Sequence, residues 1–207
     1  MPSTDTENLL QRVADGDYAA RDQLLERFRR RLRRMVVVRF DPRLAARVDP
    51  SDVVQETLAE AARRLEEYLR HPPLPFYPWL RQIALDRLLD LRRRHLRARK
   101  RSVAREEPGG LNLPDESAAE LAARLIDLGS SPSRHLLREE LRERVRVTLG
   151  RLPPGDREVL VLRHLEQMAI RDVAAVLGVG EGAVRMRLVR ALGRLRDLLD
   201  QDLGELP

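Results

Sequence analysis

Residues 155–199 read GDREVLVLRHLEQMAIRDVAAVLGVGEGAVRMRLVRALGRLRDLL, and the fold turns on this stretch. It predicts three helices, the last two forming a helix-turn-helix. Ile170, Val173, Ala174 and Leu177 fall at helical spacing and give a short helix one apolar face. Gly178-Val179-Gly180 follows as a tight turn, because glycine tolerates the left-handed backbone that ends a helix. A second helix starts near Glu181, with Val184, Leu188, Ala191, Leu192 and Leu195 on its apolar side. Arg185, Arg187, Arg190, Arg194 and Arg196 crowd its other faces. A short scaffold helix, a glycine turn and a basic second helix are the parts needed to read a DNA major groove. An ordinary helical hairpin with a solvated arginine face is the plainer alternative.

Upstream of this stretch, Leu137, Leu141, Val145 and Leu149 are spaced by four. They predict a helix that ends at Leu152-Pro153-Pro154. Before it, residues 106–133 carry six acidic residues and one Arg, with Pro108, Gly109, Gly110, Pro114, Gly129 and Pro132 as punctuation. This reads as a flexible acidic linker, with a short helix over 120–128 inside it.

Residues 78–105 are the opposite, with ten Arg or Lys against two Asp. Leu80, Ile83, Ala84, Leu88 and Leu91 keep helical period, so a helix is expected from about Trp79 to Lys100. Phe76, Tyr77 and Trp79 are three of only seven aromatics in the chain. Aromatics beside cations are the ingredients of single-strand nucleic-acid binding; plugging a small helical core is the competing use for Phe76 and Trp79. HPPLPFYP at 71–78 stops the preceding helix and redirects the chain. That helix starts at Asp49-Pro50-Ser51-Asp52, where Asp49 can cap, Pro50 suits the first position and Asp52 lies by free amides. It runs to about Leu69 on a stripe of Val54, Leu58, Ala61, Ala62, Leu65 and Leu69, with Asp52, Gln55, Glu56 and Arg63 off the stripe. Asp17 is an expected cap for a long helix from Tyr18 to Arg39. A short helix from Thr6 to Ala14 precedes it and stops at Gly16.

The 207 residues allow one or two domains. Aromatics make up only 3% of the chain, so its cores must be aliphatic, which favours helical bundles. The net charge of +6 suits a polyanion partner. Of the 39 basic residues 38 are Arg, a skew typical of codon bias, so basicity counts only where it is concentrated. There is no cysteine, which removes disulfides, thiolate metal sites and a cysteine nucleophile and fits a cytoplasmic protein. The acidic, polar first residues do not read as a signal peptide, and no apolar run is long enough to insert in a membrane. His71, His95, His135 and His164 are scattered, so no metal is expected. Gly178 to Gly182 lacks the Gly-Lys-Ser/Thr ending of a phosphate loop. Neither a cofactor nor an enzyme activity is expected. The predicted class is all-α, with two helical domains joined by a flexible linker: 1–105, linker 106–135, and 136–207.

Three signatures, in this order, resemble a bacterial RNA polymerase sigma factor of the sigma-70 family, extracytoplasmic-function group. Asp52-Val53-Val54-Gln55-Glu56-Thr57 is similar to the family's D-x-V-Q-E-T core-binding motif. Phe76-Tyr77-Pro78-Trp79-Leu80, Ile83-Ala84, Asp90 and Arg92-Arg93-Arg94 resemble the segment that melts and reads the −10 promoter element. Leu152-Pro153-Pro154 with Arg157-Glu158-Val159-Leu160 and the helix-turn-helix resemble the −35-reading domain. The resemblance implies a core-polymerase face of Asp52, Val53, Gln55 and Glu56, bound by the beta and beta-prime subunits. It implies −10 contacts from Trp79, Gln82, Asp86, Arg87, Arg93 and Arg94. It implies −35 contacts from Arg185, Met186, Arg187, Val189 and Arg190. It further implies promoter DNA and an anti-sigma factor as partners, a linker threaded through the polymerase, and residence on the nucleoid within the holoenzyme. The chain departs from the family at Asp86, often Asn; at Gly180, commonly a capping Ser; and at Met186, frequently Ser. A carboxylate at 86 repels phosphate and accepts only from a base amine such as that of cytosine. Two other readings of the residues remain: a stand-alone helix-turn-helix repressor or activator, and a protein that occupies polymerase without touching DNA.

Overall fold

The computed structural model describes residues 3–45, 47–97, 144–145 and 147–204. The chain divides into two compact units, residues 1–109 and 110–207. Among the described residues every regular element is helical.

In the first unit, α1 is Ser3–Ala14, α2 Tyr18–Arg39, α3 Pro50–Arg70 and α4 Phe76–Arg97. Gly16, at φ +88, makes the turn between α1 and α2. Asp17 then caps α2, its carboxylate accepting from the Ala20 N–H at 3.0 Å. The same carboxylate takes a 2.7 Å bond from Arg12, and Asp5 meets Arg27 at 3.3 Å, tying α1 to α2. A 3-10 turn, Pro42–Leu44, holds a buried Asp41 against Arg43 at 2.7 Å. Asp49 accepts from the Ser51 N–H at 2.6 Å, and Asp52 reaches back to the Asp49 N–H at 3.4 Å, a reciprocal cap for α3. α4 begins at Phe76, three residues before the expected start. Pro78 causes no break because it lies in the first turn, where its missing N–H has no partner to lose.

These helices close over one core. Leu24, Leu32, Met35 and Leu80 are fully buried in it. At one end of it Phe28, Tyr68, Phe76, Tyr77 and Trp79 pack ring against ring, with neighbouring centroids 4.5–5.8 Å apart. Five of the seven aromatics therefore act as one hydrophobic plug.

In the second unit Val145 and Leu149 are buried. The linker, Lys100, Leu137 and Leu141 lie outside the described residues. α5, Pro154–Leu160, runs into a π-helical turn, Val161–Leu165, then α6, Ile170–Leu177, and α7, Glu181–Gly204. The π turn is marked by the Glu166 N–H donating to the Val161 carbonyl at 2.9 Å, five residues back. Gln167 follows at φ 53, a left-handed backbone that glycine would favour. Periodicity foresaw a plain helix here. Leu160, Leu162, Leu165, Met168 and Leu195 form the fully buried centre.

Candidate nucleic-acid interface and polymerase face

The second unit builds its site from the turn outward. Gly178 adopts φ 62, ψ 34, and its N–H and that of Val179 both return to the Ala174 carbonyl. This left-handed stop ends α6 and swings the chain into α7, whose first turn begins with the Val184 N–H on the Gly180 carbonyl at 3.1 Å. Val173 and Ala174 of α6 are buried, as are Val184, Leu188, Ala191 and Leu195 of α7. Burying that stripe leaves the opposite side of α7 in solvent. Arg185, Met186, Val189 and Arg190 are exposed there, and Arg187 is half-buried. Arg185 pairs with Glu181 one turn back at 2.9 Å. Arg194, though exposed, is bound to Asp156 of α5, so it also anchors α7. Among the described residues Arg187 and Arg190 carry no ion pair.

On the first unit, Asp52, Gln55 and Glu56 are exposed on α3, opposite the buried Val54, Leu58 and Ala61. Val53 does not join them. It is 1% exposed, and its carbonyl accepts from the buried Thr57 hydroxyl at 2.7 Å. Its side chain belongs to the core of the first unit, apart from the exposed Asp52, Gln55 and Glu56.

α4 presents Gln82, Asp86, Arg93 and Arg94 to solvent, with Arg87 half-buried. Trp79, expected at the −10 DNA, is instead 5% exposed, with its ring 4.5 Å from Tyr68 and 5.6 Å from Phe76. Its ring is closed into the core, where no base can stack on it while that core stays packed. Tyr68 shares the plug; burial pushes its hydroxyl up to about 12, and it donates to the Leu74 carbonyl at 3.1 Å. Tyr77 is covered by the Arg31 guanidinium, 3.6 Å from the ring centre. The basic run is also divided in its duties. Arg81 is buried, Arg92 lends its charge to Asp41, Arg93 meets Asp90 at 3.6 Å, and Arg94 is exposed. Arg43 is the main reason Asp41 titrates below its ordinary value.

Two features escaped the sequence reading. Arg87 reaches from α4 to α3, 3.6 Å from Glu60 and 4.0 Å from Glu56, so the acidic face and the cationic face meet there. Leu89, 47% exposed, lies on the solvent side of α4 in line with Gln82, Asp86 and Arg93. Its place seven residues after Gln82 was the available signal.

A helix-turn-helix unit with a cationic outer helix, in a chain whose other unit is also all-helical and joins an acidic face to a basic helix, defines the class of a helix-turn-helix DNA-binding protein. Residues 142–195 match the family model described as Sigma-70, region 4. The chain is 36% identical over 154 residues to the RNA polymerase sigma factor CnrH of Cupriavidus metallidurans, covering 74% of this chain and 75% of that one. It is 31% identical over 200 residues to the RNA polymerase sigma-H factor of Pseudomonas aeruginosa, covering 97% and 94%. It is 28% identical over 198 residues to the ECF RNA polymerase sigma-E factor of Haemophilus influenzae, covering 96% and 95%. The solved structure of CnrH in complex with the cytosolic domain of CnrY superposes with a TM-score of 0.55 at 27% identity, covering 96% of this chain and 99% of that one. The chain belongs to the sigma-70 family of RNA polymerase sigma factors, in its extracytoplasmic-function group. It binds core RNA polymerase and directs promoter-specific transcription initiation. No described helix is long and apolar enough to cross a membrane.

Proposed function

We propose that the work is divided between the units, 1–105 holding core polymerase and the −10 element and 136–207 holding the −35 element. The linker 106–135 passes through the polymerase between them. Asp52, Gln55 and Glu56 meet cationic groups on the beta and beta-prime subunits. Gln82, Asp86, Arg87, Arg93 and Arg94 line the path of the −10 strand. Asp86 accepts from a base amine, and the arginines hold phosphates. Arg185, Met186, Arg187, Val189 and Arg190 enter the −35 major groove. The observation that carries this is the outward face of α7, directly opposite its buried stripe, where Arg190 is exposed and carries no ion pair among the described residues.

Such a protein needs no bond-making step of its own. Opening a promoter requires unstacking base pairs, and capturing the freed bases and phosphates on the protein offsets that cost. We therefore place it among non-enzymatic factors, acting in the cytoplasm and on the nucleoid when in holoenzyme. The CnrH–CnrY complex supports the further proposal that an anti-sigma polypeptide covers these faces when the factor is held idle. Run-off transcription tests the reading. Core polymerase with this chain should initiate at a promoter selected from a random library, and core alone should not. Failure to select any promoter overturns it.

A further inference from the structure

The solvent face of α7 is unusual in what it lacks. Gly182, Met186, Val189 and Gly193 stand at helical intervals of four, three and four, so they form one line along the helix, opposite the buried stripe. All four are exposed, and Met186 and Val189 are 61% and 67% exposed. Cβ atoms built at Gly182 and Gly193 would meet nothing within 4 Å. The helix is thus slim at both ends of the line and carries two apolar knobs in the middle. Arg185 lies on one flank and Arg190 on the other. No side chain in the line itself donates a conventional hydrogen bond.

In the major groove a recognition helix meets base edges along this face, and arginines on its flanks reach guanine edges or phosphates. An apolar knob on the groove floor fits one group only. Thymine alone displays a methyl there, whereas guanine, cytosine and adenine display donors and acceptors that an apolar contact would strip of water. Resting on the reading that α7 enters the −35 major groove, we infer that Met186 and Val189 form a thymine-methyl reader, so the upstream element selected by this chain carries thymines beneath them. The valine, fixed at χ1, sets one position closely, and the flexible methionine follows its thymine over a wider range. The cationic flanks favour a duplex over an apolar polypeptide as the occupant.

The test removes the methyl and nothing else. Holoenzyme of this full chain with core polymerase is titrated on its library-selected promoter, with each upstream thymine replaced in turn by deoxyuridine. Loss of one buried methyl should weaken binding about fourfold at one or two positions and leave the others unchanged. With Met186→Ala, uracil and thymine should become equivalent at one of those positions, and with Val189→Ala at the other. Both residues are exposed, so thermal unfolding of the variants should match the parent. Uracil tolerated at every upstream position overturns the thymine reading, as does a uracil penalty that survives both alanine variants. Arg190→Ala separates the two levels. If it too leaves upstream binding unchanged, α7 does not enter the groove and the underlying reading fails with the proposal. If it weakens binding while uracil costs nothing, only the methyl reader fails.

Discussion

Trp79 meets two aromatic rings at tilted angles and is almost fully buried, which is why its burial matters more than its chemistry. Its ring packs against both Tyr68 and Phe76, and removing it would leave a cavity that the helices cannot fully close. Trp79→Ala should therefore destabilise the first unit by about 3–5 kcal/mol, read as a lower urea midpoint. A variant as stable as the parent would mean that the ring contributes little to the plug. The sequence showed aromatics next to cations but not which way they point, since Phe76, Tyr77 and Trp79 lie in a proline-rich stretch where no period can be counted. Val53 is hard to place from sequence for a related reason. The stripe of Val54, Leu58 and Ala61 left Val53 unassigned, and α3 buries Val53, Val54 and Thr57 while exposing Asp52, Gln55 and Glu56. By contrast, Arg194 looked like any other arginine of α7, and only Asp156, 38 residues away, makes it an anchor.

The helices are held at their ends by groups whose charge depends on pH. Backbone N–H bonds from Ala20 hold Asp17 below its ordinary 3.8, with Arg12 adding to this, and the Ser51 N–H does the same for Asp49. A carboxylate lowered in the folded state stabilises the fold at any pH above its unfolded value, and that contribution disappears as pH falls through the folded one. The first unit should hold a level melting temperature from pH 7 to about 5 and lose it progressively below about 4. Asp17→Asn with Asp49→Asn keeps a capping oxygen but removes the titration. Its acid limb should be shallower, and an unchanged limb would show that other carboxylates set it. Glycines make a second element-scale contrast in α6 and α7. Gly193→Ala, in open space on an ordinary helical backbone, should stabilise the second unit by about 0.5–1 kcal/mol. Gly178→Ala, at φ +62, should destabilise it by about 1–2 kcal/mol, since a Cβ there meets the following carbonyl. Denaturant midpoints of the two variants should move in opposite directions. Such ends were legible because Asp17, Asp49, Pro50 and Gly178 each have a local reason to be where they are, and α2 runs from Tyr18 to Arg39 as periodicity foresaw. The π turn at 161–165 was not legible. Its carbonyl shift of one residue leaves no mark in the run Val-Leu-Arg-His-Leu, four of whose five side chains are buried.

Across the whole chain, charge and packing are both partitioned by unit. The net charge of +6 is modest for a nucleic-acid binder, but the basic residues that count are gathered on α4 and on the outer side of α7. With the proposed division of the promoter between the units, two units of one chain bind one duplex more tightly than either does alone, because engagement of the first raises the effective concentration of the second. That arrangement asks each unit to keep its own shape while the other engages, and each has a core to do so. The first closes on Leu24, Leu32, Met35 and the aromatic plug, and the second on Leu160, Leu162, Leu165 and Leu195. Unfolding should then proceed in two transitions rather than one, each belonging to one unit. Trp79→Ala should lower only one of them, followed by loss of the near-ultraviolet signal, since all seven aromatics lie before residue 80. Leu195→Ala should lower only the other by about 2–5 kcal/mol, followed by far-ultraviolet ellipticity and leaving the aromatic signal untouched. A single transition moved equally by both substitutions would mean that the units stand or fall together, and an independent two-site grip would then need a different physical basis.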